Sequence, residues 1–238
     1  MNRKIALALV LAIGCPLVGF AEDAKLKDQE HGMRARLGEV KEQIRFQKVI
    51  DKSIDVYRAI VKGPHGEVPV SVLANARCIG ILPSVVTGAI VVGGTHGEGL
   101  VSCKNDSNTW SEPAPVSINQ GSIGLQAGAK SADVVLFIQS KEAVAALKRG
   151  NFTLGTDVSA VAGNFDSKAD TSAAGVVVYT RAEGLFAGAA VNGGKIGKNE
   201  DEMKAYYGKK VDFTALLESR ESPDSSEYTK KLTTLFPS

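Results

Sequence analysis

Long apolar runs are scarce in this chain. Among its 238 residues, Ile5 to Ile13 is the one extended stretch near the start without a polar side chain, and it is too short to cross about 30 Å of hydrocarbon. No later stretch reaches the length of a spanning helix, so none is expected beyond the leader. Histidine occurs only as His31, His65 and His96, and tryptophan only as Trp110. No His-Glu-x-x-His occurs, and Cys78 and Cys103 lack near partners at zinc spacing, so no metal site is expected. No serine sits in Gly-x-Ser-x-Gly, which leaves a hydrolase nucleophile without a sequence address.

Excess charge of one sign is also missing. The 28 basic residues exceed the 26 acidic ones by Arg3 and Lys4 alone, so removal of the leader leaves the two signs balanced. Overall charge therefore provides no attraction to nucleic acid, and any affinity for an anionic surface must come from local patches.

What is present begins with an export pattern. Arg3 and Lys4 precede the apolar run, and Gly19-Phe20-Ala21 places small residues before Glu22-Asp23. This is the charged, apolar and small-residue sequence of a secretory signal cut after Ala21. A competing cut lies before Cys15, because Leu11-Ala12-Ile13-Gly14-Cys15 reads as a lipoprotein box. Lipidation there would anchor the chain covalently to a membrane face, although Pro16 and Ala12 count against it. With Cys15 gone, Cys78 and Cys103 are the remaining cysteines. An oxidising compartment permits a bridge between them; the alternative is two small buried thiols too far apart to join.

Residues 22–218 read as one domain with a helical preface, followed by a polar tail over 219–238. Met33, Leu37, Val40 and Ile44, then Ile50, Ile54, Tyr57 and Val61, recur at helical spacing with a slip near Phe46. The segment is one long amphipathic helix or two shorter ones. Pro69 to Asn75, Lys141 to Lys148, Glu200 to Tyr207 and Phe213 to Leu217 read as short helices. Short β-branched runs at 78–82, 85–92, 97–103, 114–118, 122–129, 132–138, 173–180 and 185–191 read as strands. Gly93-Gly94-Thr95-His96-Gly97 reads as a hairpin loop. The fold class is α+β: a curved, mostly antiparallel sheet or small barrel, with an N-terminal amphipathic helix and short peripheral helices.

Chemistry is harder to locate. The glycines from Gly93 to Gly99 lack the Lys-Ser or Lys-Thr and the following helix that a phosphate loop requires. Asp133, Asp157 and Asp166 lie at element edges, where carboxylates commonly serve turns and caps. Trp110, before a proline-edged strand, reads as a core plug or rim packer, and one of Tyr206 and Tyr207 is expected to point inward.

Several segments in order carry a family resemblance. They are Ile81-Leu82-Pro83-Ser84, Gly93-Gly94-Thr95-His96-Gly97-Glu98-Gly99, Trp110-Ser111-Glu112-Pro113-Ala114, Gly121-Ser122-Ile123-Gly124-Leu125-Gln126-Ala127-Gly128, Asp133-Val134-Val135, Phe152-Thr153-Leu154-Gly155, Gly184-Leu185-Phe186-Ala187-Gly188 and Tyr206-Tyr207-Gly208. Together, from about residue 67 to 210, they resemble the SYLF domain, also called the Ysc84 actin-binding family, in its exported bacterial lipid-binding branch. The resemblance implies a binding module without catalytic residues or cofactor. Eukaryotic relatives bind phosphoinositides through an N-terminal amphipathic helix and basic residues, some fungal members bind and bundle actin, and exported bacterial relatives are lipid-binding or lipoproteins of the cell envelope.

The expectation is therefore noncatalytic association with phospholipid or another envelope amphiphile in the bacterial periplasm, or lipid-anchored on an envelope membrane. Arg34, Arg36, Lys41, Arg45 and Lys48 would contact headgroups, and Met33, Leu37, Val40 and Ile44 would supply apolar area. The rival is an envelope structural or protein-interaction domain whose apolar stripe packs on the sheet. A hydrolase with an unrecognised site ranks below both, and the export pattern disfavours actin as a partner.

Overall fold

The computed structural model describes residues 17–63, 66–89, 92–123, 128–163, 174–182, 193–207, 211–221 and 227–237. The expected strand at 185–191, the motif at 184–188, Cys15 and residues 124–127 of the expected strand at 122–129 lie outside them. The chain divides into a unit ending at Lys41 and a body from Glu42 onward.

One helix, α1 (Leu17–Val61), covers the whole segment expected to be one helix or two, and extends it toward the N-terminus. The slip near Phe46 is a change of face within it. At 100° per residue, the stripe through Met33, Leu37, Val40 and Ile44 lies about 100° around the helix from the stripe through Ile50, Ile54, Tyr57 and Val61. The second stripe is buried, together with Phe46, Val56 and Ile60. At about 1.5–3 kcal/mol per buried large side chain, this half of α1 contributes on the order of 10 kcal/mol or more of gross apolar burial. It is a layer of the core.

After α1, β1 (Lys62–Gly63) and β2 (Gly66–Glu67) form a small hairpin. Pro69 then leads α2 (Val70–Asn75), whose Val72 is fully buried. The principal strands are β3 (Cys78–Ala89), β4 (Val92–Cys103), β5 (Ala114–Ile123) and β6 (Gly128–Ile138). Shorter ones follow as β7 (Asn151–Thr153), β8 (Ala160–Ala162), β9 (Val176–Ala182) and β10 (Lys195–Lys198). They make one curled, eight-stranded half-barrel sheet in the order β7-β10-β5-β4-β3-β6-β9-β8. All neighbours are antiparallel except the parallel pair β8 and β9.

Alternation along the central strands places one core on each sheet face. Val134, Leu136 and Ile138 of β6 point to the side packed by α3 (Lys141–Lys148) and α5 (Phe213–Leu217). Val135 and Phe137 point to the side packed by the buried half of α1 and α2. Burial on both faces explains why the second half of β6, Val134 to Ile138, reads as an unbroken apolar run. Caps set the helix starts: Ser140 Oγ accepts the Ala143 N–H at 3.0 Å, and Asp212 Oδ1 accepts the Ala215 N–H at 2.7 Å. Gly150, at φ 92°, takes the chain out of α3.

Two expectations are corrected. Gly93 to Gly97 is no hairpin loop; it is part of β4, paired throughout with β5 and, as far as His96, with β3. β3 carries a bulge opposite it, where Pro83 and Ser84 stand against the single residue Asp133 of β6. Pro83 lacks an N–H to lose from the ladder, and Ser84 takes φ 57°. The glycines of β4 let this bulge come close, so glycine here reports close backbone approach and not a turn.

The C-terminal segment is the other correction. Residues 219–238 are expected to be a polar tail, yet α6 (Glu227–Thr233) forms within them and Leu232 and Phe236 are buried. Phe236 meets Trp110 and Tyr57 edge-on at 5.0 and 5.1 Å between ring centres. The Trp110 indole N–H donates to the Pro237 carbonyl at 2.9 Å. Polar composition over 220–231 conceals the anchor because its aromatic residue lies beyond that window.

Asp133 fastens the bulge. Its Oδ1 accepts the Ser84 N–H at 3.0 Å, and its Oδ2 accepts from Arg181 Nη2 at 2.6 Å and Nε at 3.1 Å. Asp133→Ala is expected to lower unfolding free energy by about 1–2 kcal/mol, with Asp133→Asn losing less because it can still accept from Ser84. Urea denaturation of both variants checks this order, and equal losses would deny the backbone contact its role.

Candidate functional site

The residues singled out for a surface role separate into two groups. In the N-terminal unit, Met33, Leu37 and Val40 are 64%, 55% and 51% exposed, and Arg34, Arg36 and Lys41 are exposed beside them. In the body, Ile44 is 48% exposed and Lys48 is exposed. The apolar stripe of α1 that sequence suggested for contact is therefore open to solvent at all four positions.

Arg45 stands apart, because carboxylates from three elements converge on it. Nη1 lies 2.7 Å from Glu202 Oε1 and 3.7 Å from Glu42 Oε2, while Nη2 lies 3.2 Å from Glu98 Oε2. Partial burial pulls the guanidinium pKa down, but Glu202, Tyr206, Glu98 and Glu42 more than offset it, and the net shift is upward. Next to this pair, Phe46 stacks on Tyr206 with ring centres 4.2 Å apart. Burial, then a hydrogen bond to Glu202, raises the Tyr206 pKa. Tyr206 is thus the inward aromatic, and the partly buried Tyr207 donates its hydroxyl to the Pro113 carbonyl at 2.6 Å. Arg45 is an internal tie.

Glu202 escaped sequence reasoning because its setting is tertiary. It lies on α4 (Glu200–Tyr207), and its N–H donates to Asn199 Oδ1 at 3.2 Å in the first turn. Only the fold brings that turn beside β4.

The outer half of the sheet carries a polar groove of about 430 Å³, lined by His96, Ser117, Lys198, Asn199, Glu200 and Asp201. Strand alternation builds it: Val116 and Ile118 are buried, while Ser117 and Asn119 project to the opposite face. This period-2 pattern in Val116-Ser117-Ile118-Asn119 is a signal that sequence inspection could have used. Asn119 Nδ2 donates to Ser117 Oγ at 3.2 Å, which turns its Oδ1 toward His96 Nδ1 at 2.8 Å. Donor and acceptor roles in that contact follow the imidazole tautomer. Lys198 Nζ pairs with Glu200 Oε1, and that hydrogen bond raises the ammonium pKa.

Among the described residues, no group of three His, Cys, Asp or Glu side chains is placed to hold a metal ion, and no helix is long and apolar enough to cross a membrane. Cys78 and Cys103, facing partners of β3 and β4, are joined in a disulfide with their Cα atoms 4.0 Å apart.

A curled antiparallel sheet with helices on both faces and an exposed helical stripe defines an α+β domain with surface features suited to binding. A family model named Ysc84, described as Las17-binding protein actin regulator, matches residues 119–236. The chain belongs to this Ysc84, or SYLF, family. It is 30% identical over 176 residues to an SH3 domain-containing protein of Schizosaccharomyces pombe, covering 71% of this chain and 40% of that one. It is 28% identical over 182 residues to protein YSC84 of Saccharomyces cerevisiae, covering 71% and 39%. The human SH3 domain-containing YSC84-like protein 1 is 28% identical over 151 residues, covering 61% and 44%. The chain thus spans about two fifths of the length of these curated relatives. Their names describe SH3 domains and family likeness, not a reaction. No solved structure matches.

Proposed function

We propose that the protein is a noncatalytic binding module that associates with phospholipid or another envelope amphiphile through α1. The observation that carries this reading is the exposure of Met33, Leu37, Val40 and Ile44 on one helical stripe. Around the helix, Arg34, Lys41 and Lys48 flank one side of the stripe and Arg36 the other, while Glu39 and Glu42 lie more than about 120° from its centre. Glu30 and Asp51 mark its ends. Headgroup contact is assigned to Arg34, Arg36, Lys41 and Lys48, with Arg45 retained by Glu202 and Glu98. Export to the periplasm after cleavage at Ala21, or anchoring through Cys15, would place the module at such a surface.

Liposome flotation at two salt concentrations tests the proposal. The chain is expected to float with anionic vesicles at low salt and to lose much of that binding as salt screens the basic flank. Leu37→Asp, at an exposed position, is expected to reduce the bound fraction at least about tenfold by removing apolar area and adding like charge to the lipid. Absence from both neutral and anionic lipid fractions at low salt would sink direct bilayer binding. The family description also brings actin filaments forward as a partner to test, although the export pattern had set them aside. Cosedimentation of the chain with filamentous actin, undiminished in Leu37→Asp, would favour that second reading.

A further inference from the structure

From residue 29 to 41, α1 is held helical by its own backbone. Every residue of this stretch is exposed, and the next buried side chain along the helix is Phe46. Among the described residues, no ion pair includes any of them, and Glu30 and Arg34, spaced to meet across one helical turn, form none. Two glycines interrupt the stretch. A Cβ at Gly32 or Gly38 would meet nothing within 4 Å, and neither takes the positive φ of Gly150, Gly155 and Gly193. Neither close packing nor a turn calls for glycine there, so its effect falls on the backbone. Each lowers the helix-to-coil ratio about fivefold relative to alanine.

The turns from Arg45 onward supply a helical nucleus, so residues 29–41 extend it one at a time. Good helix formers gain a factor of about 1–1.6 per residue near 0 °C, and less when warmer. Two fivefold losses, with the weak formers His31 and Val40 added, outweigh those gains. In most protein helices the burial of an apolar face settles the balance, but no side chain from 29 to 41 is buried.

We infer that residues 29–41 are largely coil in water and become helical on an anionic lipid surface, so that the stripe of Met33, Leu37 and Val40 is assembled by the ligand it binds. This coupling rests on the lipid-binding function proposed above. Only in the helix do those three side chains share one face, with Arg34 and Lys41 along one flank and Arg36 along the other. The surface therefore interacts differently with the two conformations, which is the condition for a ligand to shift an equilibrium. Apolar burial and headgroup contact offset the ordering of the backbone. Affinity is lower than a preformed helix would give, by the fraction of chains already helical. The half from Arg45 onward is helical in both states, held by Glu98, Glu202 and its buried stripe.

Hydrogen exchange of the full chain, with and without vesicles of phosphatidylcholine and phosphatidylglycerol, tests the coupling. Without lipid, amides of residues 32–41 are expected to exchange within about tenfold of the unstructured rate, while those of 50–61 are slowed at least about a thousandfold. The vesicles should slow 32–41 at least about tenfold. A Gly32→Gln, Gly38→Gln double variant places polar, uncharged helix formers more than about 90° from the centre of the stripe, adding neither charge nor apolar area. It is expected to bind the vesicles at least about threefold more tightly, because more of the chains are helical beforehand. Unchanged affinity in that variant, or strong protection of 32–41 without lipid, overturns the inference and leaves lipid binding standing. Flotation of the chain without a rise in protection does the same. Absence of flotation with any vesicle sinks the lipid reading itself, and the coupling with it.

Discussion

Gly99→Ala is expected to destabilise this protein by about 3–5 kcal/mol, enough to unfold much of the population of a domain whose total stability is about 5–15 kcal/mol. A Cβ at Gly99 would stand 2.1 Å from the Ile81 carbonyl oxygen and 2.7 Å from Leu82 Cα. Both obstacles are backbone of β3 where it enters the bulge, so no side-chain rotation relieves the clash. β3 must instead move off β4, loosening the ladder around Ile81 and Leu100. Each lost hydrogen bond costs about 1 kcal/mol, and the remaining overpacking adds about 1–3 kcal/mol. Gly88→Ala is the internal control, because a Cβ there meets nothing within 4 Å. It is expected to change stability by less than about 1 kcal/mol. Urea denaturation of the two variants separates them; equal midpoints would mean that the bulge does not rest on β4 as described.

Removal of the Cys78–Cys103 disulfide is expected to cost about 3 kcal/mol. The bridge links residues 25 apart in sequence, and closing a loop of that length in the unfolded chain accounts for most of the figure. The Cys78→Ala, Cys103→Ala double variant keeps the site apolar, as befits two positions 0% and 2% exposed in the core on the α3 and α5 side of the sheet. Its urea midpoint should match that of the wild-type chain unfolded in excess reductant, since both compare chains without the crosslink. In native oxidised protein neither sulfur should react with iodoacetamide. Alkylation of both without reductant would remove the bridge from the account and, with it, one reason to place folding in an oxidising compartment.

Local periodicity carried much of this architecture. Lys141–Lys148, Glu200–Tyr207 and Phe213–Leu217 are helices over the spans their sequences indicate. A helix needs only contacts three and four residues away, and those are written in the adjacent chain. The glycine-rich stretch from Gly93 to Gly99 was misleading because glycine marks both turns and close backbone approach, and only the position of β3 distinguishes them. Short strands such as β7 at the sheet's edge and β10 beside it were missed because three or four residues hold too few alternations to register. Phe236 was missed as an anchor because its partners Tyr57 and Trp110 are distant in sequence.

The surface shows the same division. By itself the sequence determined that α1 has two apolar stripes, that its positive charge is local, and that the SYLF motifs occur in order. Tertiary structure decided which stripe enters the core, that Arg45 is held by Glu98 and Glu202, and that His96, Ser117 and Asp201 border one groove. Periodicity can assign residues to a face of a helix or strand, because backbone geometry repeats along the chain. Whether that face meets protein or water depends on segments dozens of residues away, and no local repeat encodes their arrival.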